Sequence, residues 1–320
     1  MERKTPIIID CDPGHDDALA IMWALAYPEK LELRGITTCA GNQTLDKTTA
    51  NALKILTVTG RTDIPVARGA AKPLVKQIEV EGTPIVHGQT GLDGPALPIP
   101  TAKAIELSAV ELLIKLLEES DEKITLVPLA PLTNIAMLFT VRPDLIAKVE
   151  RISLMGGGTM GNWTPAAEFN IWWDPEAARI VFKSGLPIIM AGLDVTQRAY
   201  VTREENEVLR AQGNEKSVLA AELIDFFSRY HYEVEGFPGC TLHDPCAVAA
   251  LLNPEIFTSE NCNVDIEVHG ELTAGMTVID RVNYIKKILG KDVDCNTTVL
   301  FDVDRQKFVE SFFAAMKKLG

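Results

Sequence analysis

Four aspartates, Asp10, Asp12, Asp16 and Asp17, lie within eight residues of one another in the stretch PIIIDCDPGHDDALA, Pro6–Ala20. Like charges this close repel, and ordering them on one turn is costly without compensation. A cation is the simplest compensation. An N-capping cluster favoured by a helix dipole accounts for one or two of the acids, but not for Asp10 and Asp12 ahead of the turn as well. Oxygen donors alone favour a hard ion, Ca²⁺ or Mg²⁺, over zinc. Ca²⁺ suits ligands gathered from separate loops, because it tolerates irregular geometry.

If the turn binds a metal, a remote aspartate is the expected closing ligand, and the pair His243–Asp244 offers one. The plainer reading of Asp244 is a helix cap. His243 beside it can donate a proton. The loop GGGTMGNWTPAAEFN, Gly156–Asn170, carries Asn162, Glu168 and Asn170, groups able to hydrogen-bond the adjacent hydroxyls of a sugar. Asn42 adds another amide. The same loop formally matches G-x-G-x-x-G at Gly156–Gly161, but the third glycine does not open a helix, so the dinucleotide reading fails. His87 begins the glycine-rich HGQTGLDG segment, where it is expected to be exposed, as a lid residue or without a role. His15 is expected to pack at the sheet edge. Of Trp163, Trp172 and Trp173, at least one is expected in the core.

These residues need elements to hold them. Short apolar strands alternate with helical stretches, the pattern of a mainly parallel open sheet with helices on both faces. Strands are predicted at 7–11, 33–38, 64–67, 124–128, 151–155, 186–192, 263–268, 276–280 and 297–303. Helices are predicted over 16–26, 45–58, 104–119, 132–139, from 175, over 203–212 and 217–230, from 243 to 252, and at the C-terminus. A long irregular stretch, 69–100, falls between the third strand and the next helix. Asp10–Asp17, Ala40–Asn42, Leu129–Pro131, Gly156–Asn170 and Asp194 all follow predicted strands. In open α/β sheets ligands bind beyond the carboxyl ends of the strands, so these loops are expected to converge. With no linker or repeat in view, residues 1–320 read as a single α/β domain.

Composition narrows the partners. Hydrophobic residues make up 47% of 320, enough for a sizeable core. The net charge of −13 argues against nucleic acid, whose phosphates need clustered Lys and Arg. The sequence holds no uninterrupted apolar run of the roughly 18 residues expected of a membrane span. Met1–Thr5 shows no signal pattern, so a cytoplasmic location and six reduced cysteines are expected.

With these residues assembled, the sequence resembles the inosine–uridine-preferring nucleoside hydrolases. DCDPGHDDA (Asp10–Ala18) is similar to that family's N-terminal signature. The likeness continues in order through AGNQT (Ala40–Thr44), HGQTGLDGP (His87–Pro95), PLTNIA (Pro131–Ala136), GNWTPAAEFN (Gly161–Asn170), DPEAA (Asp174–Ala178) and HDPC (His243–Cys246). Haloacid-dehalogenase phosphatases also begin with D-x-D after a strand, but Pro13–Gly14 departs from their pattern. Within the family, the chain looks most like the bacterial pyrimidine-specific ribonucleoside hydrolases. The resemblance implies a nucleoside-hydrolase fold with a Rossmann-like core and Ca²⁺ held by Asp12, Asp17, Asp244 and the main-chain carbonyl of Leu129. Asp10 would brace the turn. It further implies a ribose clamp of Asp16, Asn42, Asn162, Glu168 and Asn170, with Asp12 as general base. His243 would protonate the leaving base, with His87 a weaker candidate. The base would meet the segment 227–241, including Tyr230, His231 and Tyr232. A homotetramer and a role in nucleoside salvage are implied by family alone. The alternatives are a purine or broad-specificity nucleoside hydrolase, a metal-dependent phosphohydrolase, and a non-catalytic ribonucleoside-binding protein.

Overall fold

The structure is a computed structural model that describes residues 4–78, 84–282, 284–290 and 295–320. Eleven strands are found among them: β1 (Thr5–Cys11), β2 (Leu31–Thr38), β3 (Val66–Arg68), β4 (Ile124–Pro128), β5 (Val149–Met155), β6 (Ile188–Ala191), β7 (Tyr200–Val201), β8 (Cys240–Thr241), β9 (Phe257–Ile266), β10 (Thr277–Asp280) and β11 (Thr297–Val303). Nine of them form one sheet in the order β10-β9-β11-β6-β5-β4-β1-β2-β3, and β7 pairs with β8 separately. From β3 across to β11 neighbours run parallel, and β9 is antiparallel to both its partners. The chain winds outward from β1 through β2 and β3, then returns to β4 on the other side. The order of connection therefore reverses between β1 and β4, and a crevice opens beyond their carboxyl ends. Asp12 follows β1 there, and Leu129 follows β4, its N–H donating to the Asp10 carbonyl at 2.8 Å.

The three isoleucines of β1 explain why the sheet is covered twice. Ile7 and Ile9 enter one core, with the helices His15–Ala26, Pro245–Leu252 and Arg305–Leu319. Ile8 points the other way, into a core with the helices Ala109–Glu119, Thr133–Val141 and Pro175–Phe182. Period-two alternation thus makes an uninterrupted apolar run the mark of a strand buried on both faces.

The helix that carries Asp16 and Asp17 is itself enclosed. All 12 residues of His15–Ala26 are buried. Trp23 meets the rings of Phe308 at 5.3 Å and Phe312 at 5.4 Å, on the C-terminal helix. A helix packed on every side cannot drift, so its first turn is a rigid mount.

Several boundaries differ from expectation for local reasons. The helix expected from 104 starts at Ala109, because Ser108 caps it and Glu111 reaches back to the Ser108 N–H at 2.7 Å. A short helix, Phe169–Trp173, lies where a loop was expected. In the long stretch 69–100, the turn Pro84–His87 is helical, and residues 79–83 lie outside the described residues, as do 1–3 of the N-terminal segment. The six cysteines are free, and Cys295 alone among them is exposed. Among the described residues, no helix is long and apolar enough to cross a membrane.

Trp23→Ala removes the largest fully buried side chain from beneath the aspartate turn. Cavity formation on that scale costs about 3–5 kcal/mol. Urea unfolding should report a loss in that range, and a loss below about 1 kcal/mol would contradict the packing described.

Candidate active site

The aspartate turn folds back on its own amides. Asp17, in the first turn of the helix, accepts from the N–H of Gly14 at 2.9 Å and of Asp12 at 3.2 Å. Asp10 accepts from the Thr37 hydroxyl at 2.5 Å and from the Asn134 amide at 2.8 Å, and so braces β1 against β2 and the helix Thr133–Val141. Asp12 takes the Asn42 N–H at 2.6 Å on one oxygen. Gly41 allows that approach, since a Cβ there would lie 2.1 Å from the same oxygen. The other oxygen, Oδ1, is buried without a hydrogen-bond partner. Asn42 Nδ2 also donates to Asp17 at 3.2 Å.

Asp244 comes in from far along the chain, after β8, at the N-terminus of the helix Pro245–Leu252. It occupies the cap position, yet its side chain makes no capping hydrogen bond, so the plain cap reading fails. Instead one carboxylate oxygen from each of Asp16, Asp17 and Asp244 lies within 4.8 Å of the others. All three residues are buried, as are Asp10 and Asp12.

Burial and mutual repulsion show in the titration of the group. Burial pushes Asp16 up to about 8, with the Asp17 charge adding to it. Asp17 is pushed up to about 6, burial being opposed by the Gly14 N–H. Asp12 and Asp244 stand well above the ordinary carboxylate range, through burial first and then the charges of Asp17 and Asp16 respectively. The charges of Asp16, Asp17 and Asp12 all raise Asp244, so the acids resist ionising together. A divalent cation would offset that repulsion. The residues fit one: the donors of Asp16, Asp17 and Asp244 are all oxygen, and the trio contains Asp16, expected at the ribose, but not Asp12, whose Oδ1 is a buried acceptor without a partner.

The pocket next to these acids is lined by Asp16, Asn42, His87, Leu129, Asn162, Glu168, Asn170, His243 and Asp244, so all these expected residues converge. Asp12 and Asp17 are not among its lining residues. Glu168 is held by three backbone N–H groups, from Gly157 (2.9 Å), Asn170 (2.9 Å) and Ile171 (3.2 Å). The glycine loop therefore serves a carboxylate, not a phosphate. Burial still pushes Glu168 up to about 7. Asn170 Nδ2 donates to the Leu129 carbonyl at 3.0 Å, leaving that oxygen's second lone pair for a ligand. Asn162 Oδ1 accepts from the Phe169 N–H at 3.0 Å.

The histidines depart most from expectation. His87 is not exposed: it is 4% accessible, stacked on Phe227 and on His15. Gly14 makes room, for a Cβ there would lie 2.6 Å from the His87 ring. His15 does not pack at the sheet edge either. Its ring stacks on Phe226 and Phe227, bonds His87 Nδ1 at 3.1 Å, and places Nε2 2.8 Å from the Asp93 carbonyl. His243 lies between two hydroxyls, Thr196 at Nδ1 (2.8 Å) and Thr241 at Nε2 (2.9 Å). Burial lowers it to about 4.

From the expected base-contacting segment, Phe227, Tyr230 and His231 line the pocket, whereas Tyr232 lies under the Arg203 guanidinium. Glu235, Met155 and Val86 also line it and were not singled out from the sequence. Trp173 is core and Trp163, 47% accessible, lies at the rim. Asp194 does not reach the pocket but accepts from Thr159 N–H at 2.8 Å. Among the described lining residues there is no Lys or Arg: Lys47 is bonded to Gln43 and Gln89, and exposed Arg198 to Asp194 and Asp302. A phosphate monoester would meet carboxylates here with no cationic side chain to hold it.

An acid cluster at the switch point, sharing a pocket with the side-chain amides of Asn42, Asn162 and Asn170, suits a hydrolase of sugar conjugates. The inosine-uridine preferring nucleoside hydrolase family matches residues 7–310, and the chain belongs to it. The chain is 55% identical over 307 residues to the pyrimidine-specific ribonucleoside hydrolase RihA of Shewanella sp. (strain ANA-3), covering 95% of this chain and 94% of that one. It is 53% identical to the protein of the same name from Escherichia coli O1:K1 / APEC, over 95% of this chain and 96% of that one. Among solved structures, the purine-preferring ribonucleoside hydrolase from Gardnerella vaginalis superposes with a TM-score of 0.89 at 33% identity, over 98% of this chain and 99% of that one. The chain is thus an enzyme of N-glycosyl bond hydrolysis, with the fold expected from its sequence.

Carboxyls raised above their unfolded values bind more protons folded than unfolded, here between about pH 4 and about pH 8. Without a cation their contribution to stability therefore falls as pH rises through that window. A divalent ion that displaces the protons removes the loss. The increment in Tm from saturating divalent cation over chelator-treated protein should grow from about pH 5.5 to about pH 8. An increment that is flat or shrinks over that range would contradict the site.

Proposed function

We propose that this chain hydrolyses the N-glycosidic bond of pyrimidine ribonucleosides to ribose and free base, with calcium held at the aspartate cluster. The observation that carries the reading is the convergence of Asp16, Asp17 and Asp244 on a pocket walled by Asn42, Asn162, Glu168 and Asn170. The pyrimidine preference rests on the full-length likeness to relatives named for it.

Asp12, Asp17, Asp244 and the Leu129 carbonyl would hold the ion, and Asp16 lies close enough to share in it or to face the ribose. When bound, calcium would supply Lewis acidity that makes a water held there more acidic. Asp12 would act as general base toward a water at the cluster; one of its oxygens accepts from the Asn42 N–H and the other, Oδ1, has no partner. General-base help of this kind is worth roughly 10²–10⁴-fold. Asn42, Asn162, Asn170 and Glu168 orient the ribose. The acids beneath it favour the positive charge that develops as the bond to the base breaks, an oxocarbenium-like transition state. His243, which also lines the pocket, would assist the departing base.

Incubation with uridine, cytidine and inosine, with free base and reducing sugar measured, tests the reading. Uridine and cytidine should be cleaved with higher kcat/KM than inosine, and a preference for inosine would overturn the base assignment. 2′-Deoxyuridine should be poorer than uridine by roughly 10⁴-fold, because groups built to bind the hydroxyl are left unpaired. Asp12→Ala should lower kcat by about 10²-fold or more, and a variant keeping most of its turnover would remove Asp12 as the base.

A further inference from the structure

The helix Glu215–Tyr230 ends in a π-helical turn, His231–Glu235, which sets up a directional chain of hydrogen bonds. At the junction the main-chain N–H of His231 bonds the Ser228 carbonyl. The Phe227 carbonyl then accepts from the His231 ring instead, with Nδ1 at 3.1 Å. A carbonyl only accepts, so the proton of His231 is on Nδ1. Burial lowers this imidazole to about 3, so it is neutral and Nε2 carries a lone pair.

Each following link has one direction left. Thr241 Oγ1 bonds His231 Nε2, and must donate to it. Its single proton spent, the same oxygen can only accept from His243 Nε2, 2.9 Å away. His243 therefore carries its proton on Nε2. Its Nδ1 accepts from the Thr196 hydroxyl at 2.8 Å. Glu235, whose Oε2 lies 3.8 Å from His231 Nε2, is too far to replace Thr241 as that nitrogen's hydrogen-bond partner.

We propose that His231 and Thr241 are positioning residues for His243, which fix its ring and hold it as the Nε2–H tautomer by a hydrogen-bond chain anchored on the Phe227 carbonyl. Both ring nitrogens are thereby held by hydroxyls, so the ring is presented to the pocket in one orientation, and its Nε2–H reaches a departing base only by exchanging the Thr241 hydroxyl for it. Thr196 pins the ring from the other side, so rotation of the imidazole breaks a bond at each end. This assignment rests on the proposed role of His243 at the leaving base, while the tautomer itself is a property of the folded protein without substrate.

The test is long-range ¹H–¹⁵N spectroscopy of histidine-labelled protein, with kinetics on uridine, for wild type, Thr241→Val and Thr241→Ser. Wild type should show His243 protonated at Nε2 only. Thr241→Val, similar in shape but without the acceptor, should lose the single tautomer and lower kcat by about tenfold or more, with KM within about twofold. Thr241→Ser should restore both. Should Thr241→Val not fold, His231→Phe keeps the aromatic volume, removes the acceptor for the Thr241 proton and should release the tautomer likewise. A wild-type His243 protonated at Nδ1, or variants whose His243 tautomer is unchanged, would overturn the proposal. Wild type that holds the Nε2–H form but cleaves neither uridine nor cytidine would support the chain and refute the substrate reading.

Discussion

Five buried carboxyl groups, Asp10, Asp12, Asp16, Asp17 and Asp244, are the constraint on which the structure turns. Taking each ion out of water costs several kcal/mol after relaxation. Two helix N-termini, those of His15–Ala26 and Pro245–Leu252, point partial positive charge at them. That contributes roughly 0.3–1 kcal/mol apiece, about 2 at best. The backbone amides at Asp17 help in the same direction. None of this matches the cost of several adjacent anions, and the raised titration of the group says so. Retained protons meet the deficit in the metal-free chain, and a divalent cation would meet it better.

The surrounding architecture makes that arrangement rigid. The turn lies at the switch point between the paired strands β1 and β4, whose connections run to opposite sides of the sheet. Its helix is buried all round, so the first-turn carboxylates cannot swing out to water. Asp10 does not join the cluster at all: its hydrogen bonds to Thr37 and Asn134 tie the strand carrying Asp12 to its neighbours. Loop closure alone could not hold like charges so close. The double-sided core makes the position stiff, and stiffness lets the site store unfavourable charge for later use in binding.

Much of this was legible in the sequence because its causes are local. Three isoleucines before a polar turn specify a doubly covered strand, and acids on both sides of Pro13–Gly14 exceed what a helix cap needs. The amide-bearing loop could be placed because it follows a predicted strand; Asp244 was reached only as the remote acid that would close a metal site, since the two-residue strand before it, Cys240–Thr241, is too short to show in the sequence. Burial that depends on distant partners was not legible. His87 sits among glycines, which argued for exposure, yet Phe227, 140 residues on, and the missing Cβ of Gly14 close over it. His15 was misplaced for the same reason. Glu235 and the threonines that fix His243 gave no pattern at all, since a hydrogen-bond direction depends on a π-helical turn that no spacing rule announces.

The central claim is that the aspartate cluster is a resident calcium site. Elemental analysis of the purified protein, dialysed against metal-free buffer, tests it most directly. About one calcium ion per chain is expected, and loss of that ion in Asp244→Asn. Zinc in its place, or a wild-type protein that retains no divalent ion and gains none on titration with calcium, would contradict it.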